Sequence, residues 1–204
     1  MATVVFYKSE AQEIEQLKPI HTDRLAIRNF RVGDAEALFA YLREPTVSCF
    51  FSLKLADLAA AEKEVLKRAG NDEYLAVCLQ ESGQLIGDVF IHPDAAWPDD
   101  PEQPQQPDTV SVGWNFNPLF SGKGYAFEAA KAVFAELFTH QNKRRIYAYV
   151  EDHNASSRRL CEKLGMRREG LFLEYVTFQN DSAGNPIYEN TMQYAILRHE
   201  WNER

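Results

Sequence analysis

A chain of 204 residues with 45% apolar side chains is long enough for one domain with a sizeable core, which excludes disorder throughout. No stretch approaches the ~20 apolar residues a bilayer needs, and Cys49, Cys78 and Cys161 lack any paired spacing, so no membrane span, disulfide framework or zinc site is expected. A net charge of −8 argues against nucleic acid as a partner, and the reading is a soluble cytoplasmic protein without a metal.

Residues 1–20 read as an appendage, with a short apolar patch from Val4 to Tyr7 and then a polar, helix-prone piece; 21–204 read as a single domain. Arg24 to Phe30 alternates as a strand does. Gly33-Asp34 then opens a helix carrying Ala35, Leu38, Phe39 and Leu42 at helical spacing, and Pro45 ends it. A second helix is predicted from Leu55 to Arg68, stopped by Gly70-Asn71. Two strand runs, Tyr74 to Gln80 and Gln84 to His92, are joined by Glu81-Ser82-Gly83 as a tight hairpin.

Residues 93–108 hold five of the nine prolines and five acids. That composition predicts an exposed, extended insertion rather than regular structure, with a substrate-side lid as the other reading. Strand 109–116 follows, then helix 124–139, strand 144–150, helix 155–164, strand 166–178, a turn-rich loop 179–186 and a last strand 187–197. Strands and helices alternating around a central glycine loop indicate an α/β or α+β layered domain with a mixed sheet.

That loop lies in Asn117 to Phe134, NPLFSGKGYAFEAAKAVF. Ala126, Ala129, Ala130, Val133, Phe134 and Leu137 recur at three and four residue steps, so an amphipathic helix begins at Gly122 to Tyr125. A strand, a glycine turn and a helix start point free N–H groups and the positive end of a helix dipole at an anion. A Walker loop would need Gly at 117 and Ser or Thr at 124, where Asn117 and Gly124 stand; a dinucleotide fingerprint would need Gly at 127, where Phe127 stands. Both motifs fail. Between Lys123 and Arg168 there are ten Lys/Arg and five Asp/Glu, a net +5, so the rest of the chain carries −13. A basic island after the glycine loop suits a polyanionic ligand, and the acidic remainder suits an amine-bearing second substrate.

Gly122-Lys123-Gly124-Tyr125-Ala126 resembles the loop that cradles the pyrophosphate of acetyl-coenzyme A in the GNAT N-acetyltransferases. Asn117-Pro118 before it and Glu128-Ala129 after it match the NP…GKGYA-x-EA signature of the branch that includes the Rim-type ribosomal-protein acetyltransferases. Thr22-Asp23-Arg24-Leu25 with Ile27-Arg28, Asp34-Ala35 and Pro45 is similar to that branch's opening. Asn154, Ser157 and Arg159 followed by Glu162-Lys163-Leu164-Gly165-Met166 and Glu169-Gly170 resemble its NxxSxRxxEKLGF…EG segment, and Tyr194 to Trp201 its YSILRxEW end. Together these span residues 22–201 in the expected order.

The resemblance implies a GNAT α+β fold: a mixed, mostly antiparallel central sheet of six or seven strands flanked by about four helices. It implies direct transfer of the acetyl group of acetyl-CoA to a primary amine, with no acyl-enzyme and no metal. The acceptor would be a protein or peptide N-terminus or a small-molecule amine, and a homodimer is a common arrangement among similar proteins. The cosubstrate would be held by Ser121, Gly122, Lys123, Gly124, Tyr125 and Ala126 at the pyrophosphate. Trp114 and Phe116 would line the pantetheine arm where two parallel strands splay, with Asn154, Ser157 and Arg159 across the gap.

Asn154 reads equally as an ordinary helix N-cap. Ser157 matches a family serine that reaches the thiol. Cys161, one turn on, stands where many relatives carry a tyrosine acid and reads otherwise as a packed core thiol. Relatives often carry Glu two residues before the glycine that is Gly113 here; this chain has Ser111. Glu151, Asp88 and Glu174 are then the acids left to accept the amine's proton, through water. The missing carboxylate also keeps open the alternative of a non-catalytic acyl-CoA-binding or sensing module.

Overall fold

The alternating segments pair as one sheet in the computed structural model, which describes residues 18–94 and 107–203. Its strands are β1 (Ile20–His21), β2 (Leu25–Asn29), β3 (Tyr74–Leu79), β4 (Leu85–Asp94), β5 (Thr109–Phe116), β6 (Arg145–Glu151), β7 (Arg167–Asn180) and β8 (Pro186–Leu197). They run across the sheet in the order β1-β2-β3-β4-β5-β6-β8-β7. Every neighbouring pair is antiparallel except β5 and β6. This is the expected mixed, mostly antiparallel sheet, with eight strands instead of six or seven. The added one is β1, where Ile20 pairs with Ile27 at the end of the segment read as an appendage. Two residues are too few for alternation to register.

Five α-helices stand among the described residues where about four were expected: α1 (Ala35–Leu42), α2 (Leu58–Ala69), α3 (Tyr125–Thr139), α4 (Ala155–Lys163) and α5 (Arg198–Asn202). The extra one, α5, has five residues and so no helical period to read. α2 begins at Leu58 rather than Leu55 because the Asp57 carboxylate accepts the Ala60 N–H at 2.8 Å and caps the helix there. Pro93 and Asp94, assigned from sequence to the proline-rich insertion, instead finish β4 opposite Val110 and Thr109. Residues 95–106 of that insertion, and 1–17 of the appendage, lie outside the described residues.

α3 buries Ala129, Ala130, Val133, Phe134 and Leu137 against Leu25, Ile27, Val110 and Ile146 on one face of the sheet. α1 and α2 cover the other, with Leu38, Leu42, Ala61 and Val65 against Ala76, Cys78 and Leu85. Each Leu, Ile, Val and Phe among them contributes roughly 1.5–3 kcal/mol on burial. The two layers hold the sheet rigid on either side of its parallel pair. That pair is short: Thr109, Val110 and Ser111 pair with Arg145, Ile146 and Tyr147, and the strands then separate.

Candidate active site

Beyond Ser111 and Tyr147, β5 stays with β4 and β6 stays with β8, so 112–116 and 148–151 face each other across a wedge. The glycine turn closes its wide end. Asn117 Oδ1 accepts from Leu119 N at 3.0 Å and Pro118 begins a single 3-10 turn, which ends β5 sharply. Gly122 and Gly124 follow at φ +75° and +81°, left-handed values that a side chain resists. Gly124 caps α3, whose first intrahelical donor is the Glu128 N–H, so the N–H groups before it have no acceptor within the helix.

Two of the sequence motifs meet at this helix start. The Glu128 carboxylate accepts from Thr22 Oγ1 at 2.6 Å, from Arg24 N at 3.1 Å and from Arg24 Nε at 2.7 Å. Arg24 Nη1 also donates to the Lys123 carbonyl at 3.1 Å, and its guanidinium stacks on the Tyr125 ring. Although partial burial raises the Glu128 pKa, hydrogen bonds from Thr22 and Arg24 hold it below the usual carboxylate range. These residues pin β2 to the first turn of α3.

The opposite wall is α4. Asn154 Oδ1 accepts from Ser157 N at 3.1 Å, which makes Asn154 the N-cap, with its amide nitrogen left for another partner. Trp114 Nε1 donates to Ser157 Oγ at 3.3 Å across the wedge. The serine oxygen therefore accepts from indole, and its own proton is free to be donated. A cavity of about 540 Å³ runs from the glycine loop along this wall, lined by Trp114, Phe116, Ser121, Gly122, Gly124, Tyr125, Ala126, Asn154, Ser157 and Arg159. The structure thus gathers these predicted residues around one space. Lys123 does not line it; its Nζ lies 5.4 Å from the centre of the Phe120 ring.

A second cavity of about 310 Å³ lies beyond the point where β5 and β6 part. The two cavities share Phe50, Trp114, Asn154 and Ser157. Phe90, Tyr74, Tyr149 and Phe178 give the second one aromatic walls, and Glu151 stands in it only 6% exposed. Of the three candidate acids, Glu151 alone reaches this space. Asp88 is buried on the α1–α2 side, where it accepts from Tyr41 Oη at 2.7 Å and pairs with Arg68. Glu174 is exposed on an irregular stretch of β7 at φ +48°, away from both cavities.

Cys161 lines neither cavity. It is fully buried in the core beneath α4, and burial first, then the neighbouring Glu162, pushes its thiol up to about 12. It is therefore the packed core thiol of the two readings and not an acid at the cavity. Burial also raises Cys49, reinforced by the charge of Glu151 and a hydrogen bond to it, and Cys78 is buried as well. With thiolate suppressed in this way, Ellman's reagent at pH 8 is expected to react slowly with Cys49 and with Cys78 and Cys161 only after denaturation. Three fast equivalents from the native chain would contradict this placement.

Sequence reasoning missed the residues that 42–53 bring over the cleft. Ser48–Leu53 forms a 3-10 segment whose Cys49, Phe50, Ser52 and Leu53 line the second cavity, with Ser48 Oγ donating to Glu189 at 2.7 Å. Six residues without a helical or strand period carry no signal of their own. His92 was missed too, since only strand pairing brings it to the cavity.

A mostly antiparallel sheet with one parallel pair that parts beside a glycine turn and helix start is the architecture of an acyl-CoA-dependent acetyltransferase. A family model described as an acetyltransferase (GNAT) domain matches residues 24–167, and the chain belongs to that family. It is 33% identical over 184 residues to an uncharacterized N-acetyltransferase, YnaD, of Bacillus subtilis, covering 90% of this chain and 99% of the relative. The structure is similar to that of a GNAT-family acetyltransferase from Bacillus anthracis, with a TM-score of 0.75, 31% identity and coverage of 90% and 100% of the two chains. It shares its fold with a putative ribosomal-protein-serine acetyltransferase from Vibrio cholerae, at a TM-score of 0.68 and 20% identity over 88% of this chain and 97% of that one. Among the described residues, no helix is long and apolar enough to cross a membrane, and no three metal-ligating side chains cluster.

Proposed function

We propose that the larger cavity holds acetyl-CoA and that the smaller one receives the primary amine to be acetylated. The observation that carries this reading is their junction at Trp114, Asn154 and Ser157, where an amine on one side would meet a thioester on the other. The fit rests on the loop. No heavy atom stands within 4 Å of where a Gly122 Cβ would be, and Gly124, Tyr125 and Ala126 of the α3 start line the cavity with it. Backbone N–H groups of 122–126 bind the pyrophosphate beside the Ser121 side chain, with Arg159 and the nearby Lys123 and Lys163 supplying positive charge.

Acetyl-CoA supplies the thioester carbonyl that the amine attacks. The Asn154 side-chain amide, beyond its capping bond, orients the pantetheine arm. Ser157 donates a hydrogen bond to the departing sulfur and keeps its proton, held for this by the indole of Trp114, and the thiolate takes its proton from water. Glu151 draws the acceptor's ammonium to the mouth of the wedge, its charge little screened because it is buried. Aromatic walls favour an amine on a compact apolar or aromatic body, either a small molecule or the first residues of a peptide. Free thiols and this cosubstrate suit a cytoplasmic location.

The reading is tested by following release of free CoA from acetyl-CoA over a panel of amines: phenethylamine, spermidine and an alanine-leading tripeptide. Turnover with at least one is expected, and Glu151→Gln is expected to raise its KM about tenfold or more while leaving acetyl-CoA affinity unchanged. Cofactor binding without turnover on any amine would instead favour a non-catalytic acyl-CoA-binding module.

A further inference from the structure

On the register of the sheet, His92 of β4 stands directly opposite Ser111 of β5, the position where relatives often carry the carboxylate base. Side chains directly opposite in an antiparallel pair project to the same face, so an imidazole is presented where this chain lacks the Glu. It lines the acceptor cavity together with Ser111, Gly113 and Glu151. We propose that His92 is the group that takes the proton from the acceptor ammonium, and that Glu73 positions it. This rests on the acetyltransferase reading of the same two cavities.

The geometry around the ring is specific. His92 Nδ1 lies 2.9 Å from Glu73 Oε2. A carboxylate only accepts, so Nδ1 carries the hydrogen and the Nε2 lone pair is left as the acceptor. The ring is held edge-on to Tyr74 at 5.9 Å and against Phe90 at 5.3 Å. Phe90 in turn lies across Gly113, where an added Cβ would come within 1.9 Å of its ring, so the absence of a side chain at 113 lets this aromatic support sit on the strand. Among the described residues, Nε2 has no partner.

Other titratable groups bear on the ring. Asp94, two residues along β4, accepts from Tyr147 Oη at 3.1 Å, and burial and that carboxylate push Tyr147 up to about 12, so the phenol stays neutral. Tyr149, whose pKa burial and Tyr175 raise, stays neutral as well. Across the cavity are Glu151 and the Cys49 thiol hydrogen-bonded to it. Among the described residues no Lys or Arg lines this cavity, so the charge that develops on His92 meets carboxylates rather than cations there. As ordinary side chains, imidazole is a stronger base than carboxylate by about two pK units, and so better matched to an ammonium. In the proton step, Nε2 takes one proton from the ammonium, the imidazolium is held against Glu73, and the amine keeps the electron pair with which it attacks. The half-exposed ring then returns the proton to water.

The test uses the full chain, with the acceptor of the three-amine panel that is turned over best, and compares His92→Gln and Glu73→Gln with the parent. His92→Gln is expected to lower kcat/KM for the amine by about 10²–10⁴-fold and to abolish the acid limb of its pH profile, with the Kd for acetyl-CoA unchanged. Glu73→Gln removes the carboxylate that holds the Nδ1 hydrogen, so kcat should fall about tenfold with KM for the amine little changed, and Glu73→Asp should recover part of the loss. A parent active on an amine together with a His92→Gln variant within threefold of it would overturn the assignment and leave the acetyltransferase reading intact. A Glu73→Gln variant that keeps the parent's kcat would overturn the positioning role. A parent that releases CoA with none of the amines would overturn the acetyltransferase reading, and this inference with it.

Discussion

Replacing Arg68 with alanine is expected to destabilise the fold by about 3–5 kcal/mol at pH 7, read as a fall in the urea midpoint. Arg68 is 1% exposed in the middle of the α1–α2 layer. Its Nε donates to Glu64 at 2.8 Å, its Nη1 lies 3.4 Å from Asp88, and its guanidinium rests over the rings of Phe30 and Tyr74. Without it, Asp88 remains buried with only Tyr41 as a partner. Burial already raises the Asp88 pKa, and Arg68 is the strongest influence pulling it down.

The sign for pH follows. A carboxyl that holds its proton more tightly folded than unfolded weakens folding as pH rises from the unfolded value, and removing Arg68 enlarges that difference. The deficit of Arg68→Ala should therefore be full at pH 7 and smaller near pH 4. Adding Asp88→Asn should restore part of the loss at pH 7. An unchanged urea midpoint in the single variant, or a deficit that grows towards acid, would refute this account.

Gly122→Asp is expected to weaken CoA binding by about 10²–10³-fold while leaving a cooperative thermal transition. Its added Cβ meets no heavy atom within 4 Å, and at φ +75° the strain is roughly 1–2 kcal/mol, with Asp among the residues that accept such values. The loss comes from charge. Two unit charges about 4 Å apart near a protein surface repel by about 4 kcal/mol, and the new carboxylate would face the pyrophosphate. Gly122→Ala is the control, since it shares the strain without the charge, and should stay within about tenfold of the parent by calorimetry. Equal affinity in the Asp variant would remove the pyrophosphate from this loop. Gly124 is a poorer test site, because an added Cβ there lies 3.6 Å from Arg24, and a carboxylate would find that guanidinium.

How much of the site was legible depended on whether its cause was local. Gly122 and Gly124 declare themselves because a left-handed turn before a helix needs glycine, and the periodic alanines of α3 mark where its free amides begin. Asn154 as a cap is local in the same way, one side chain to the N–H three residues on. The segments that became β2 to β8 were visible because each alternates or runs apolar, β7 among them although it is almost wholly exposed. β1, α5 and the 3-10 segment at 48–53 are too short to show a period.

What the sequence by itself determined is therefore the set of elements, the glycine loop and the family they resemble. Tertiary structure decided which face each candidate met: Cys161 met core, Asp88 met Arg68, and Glu151 met the cavity. It decided the parting of β5 from β6 after Ser111, because strand partners are chosen between segments more than thirty residues apart in the chain. It also set His92 opposite Ser111 and against Glu73, since a register shift of one residue would send that imidazole to the other face of the sheet.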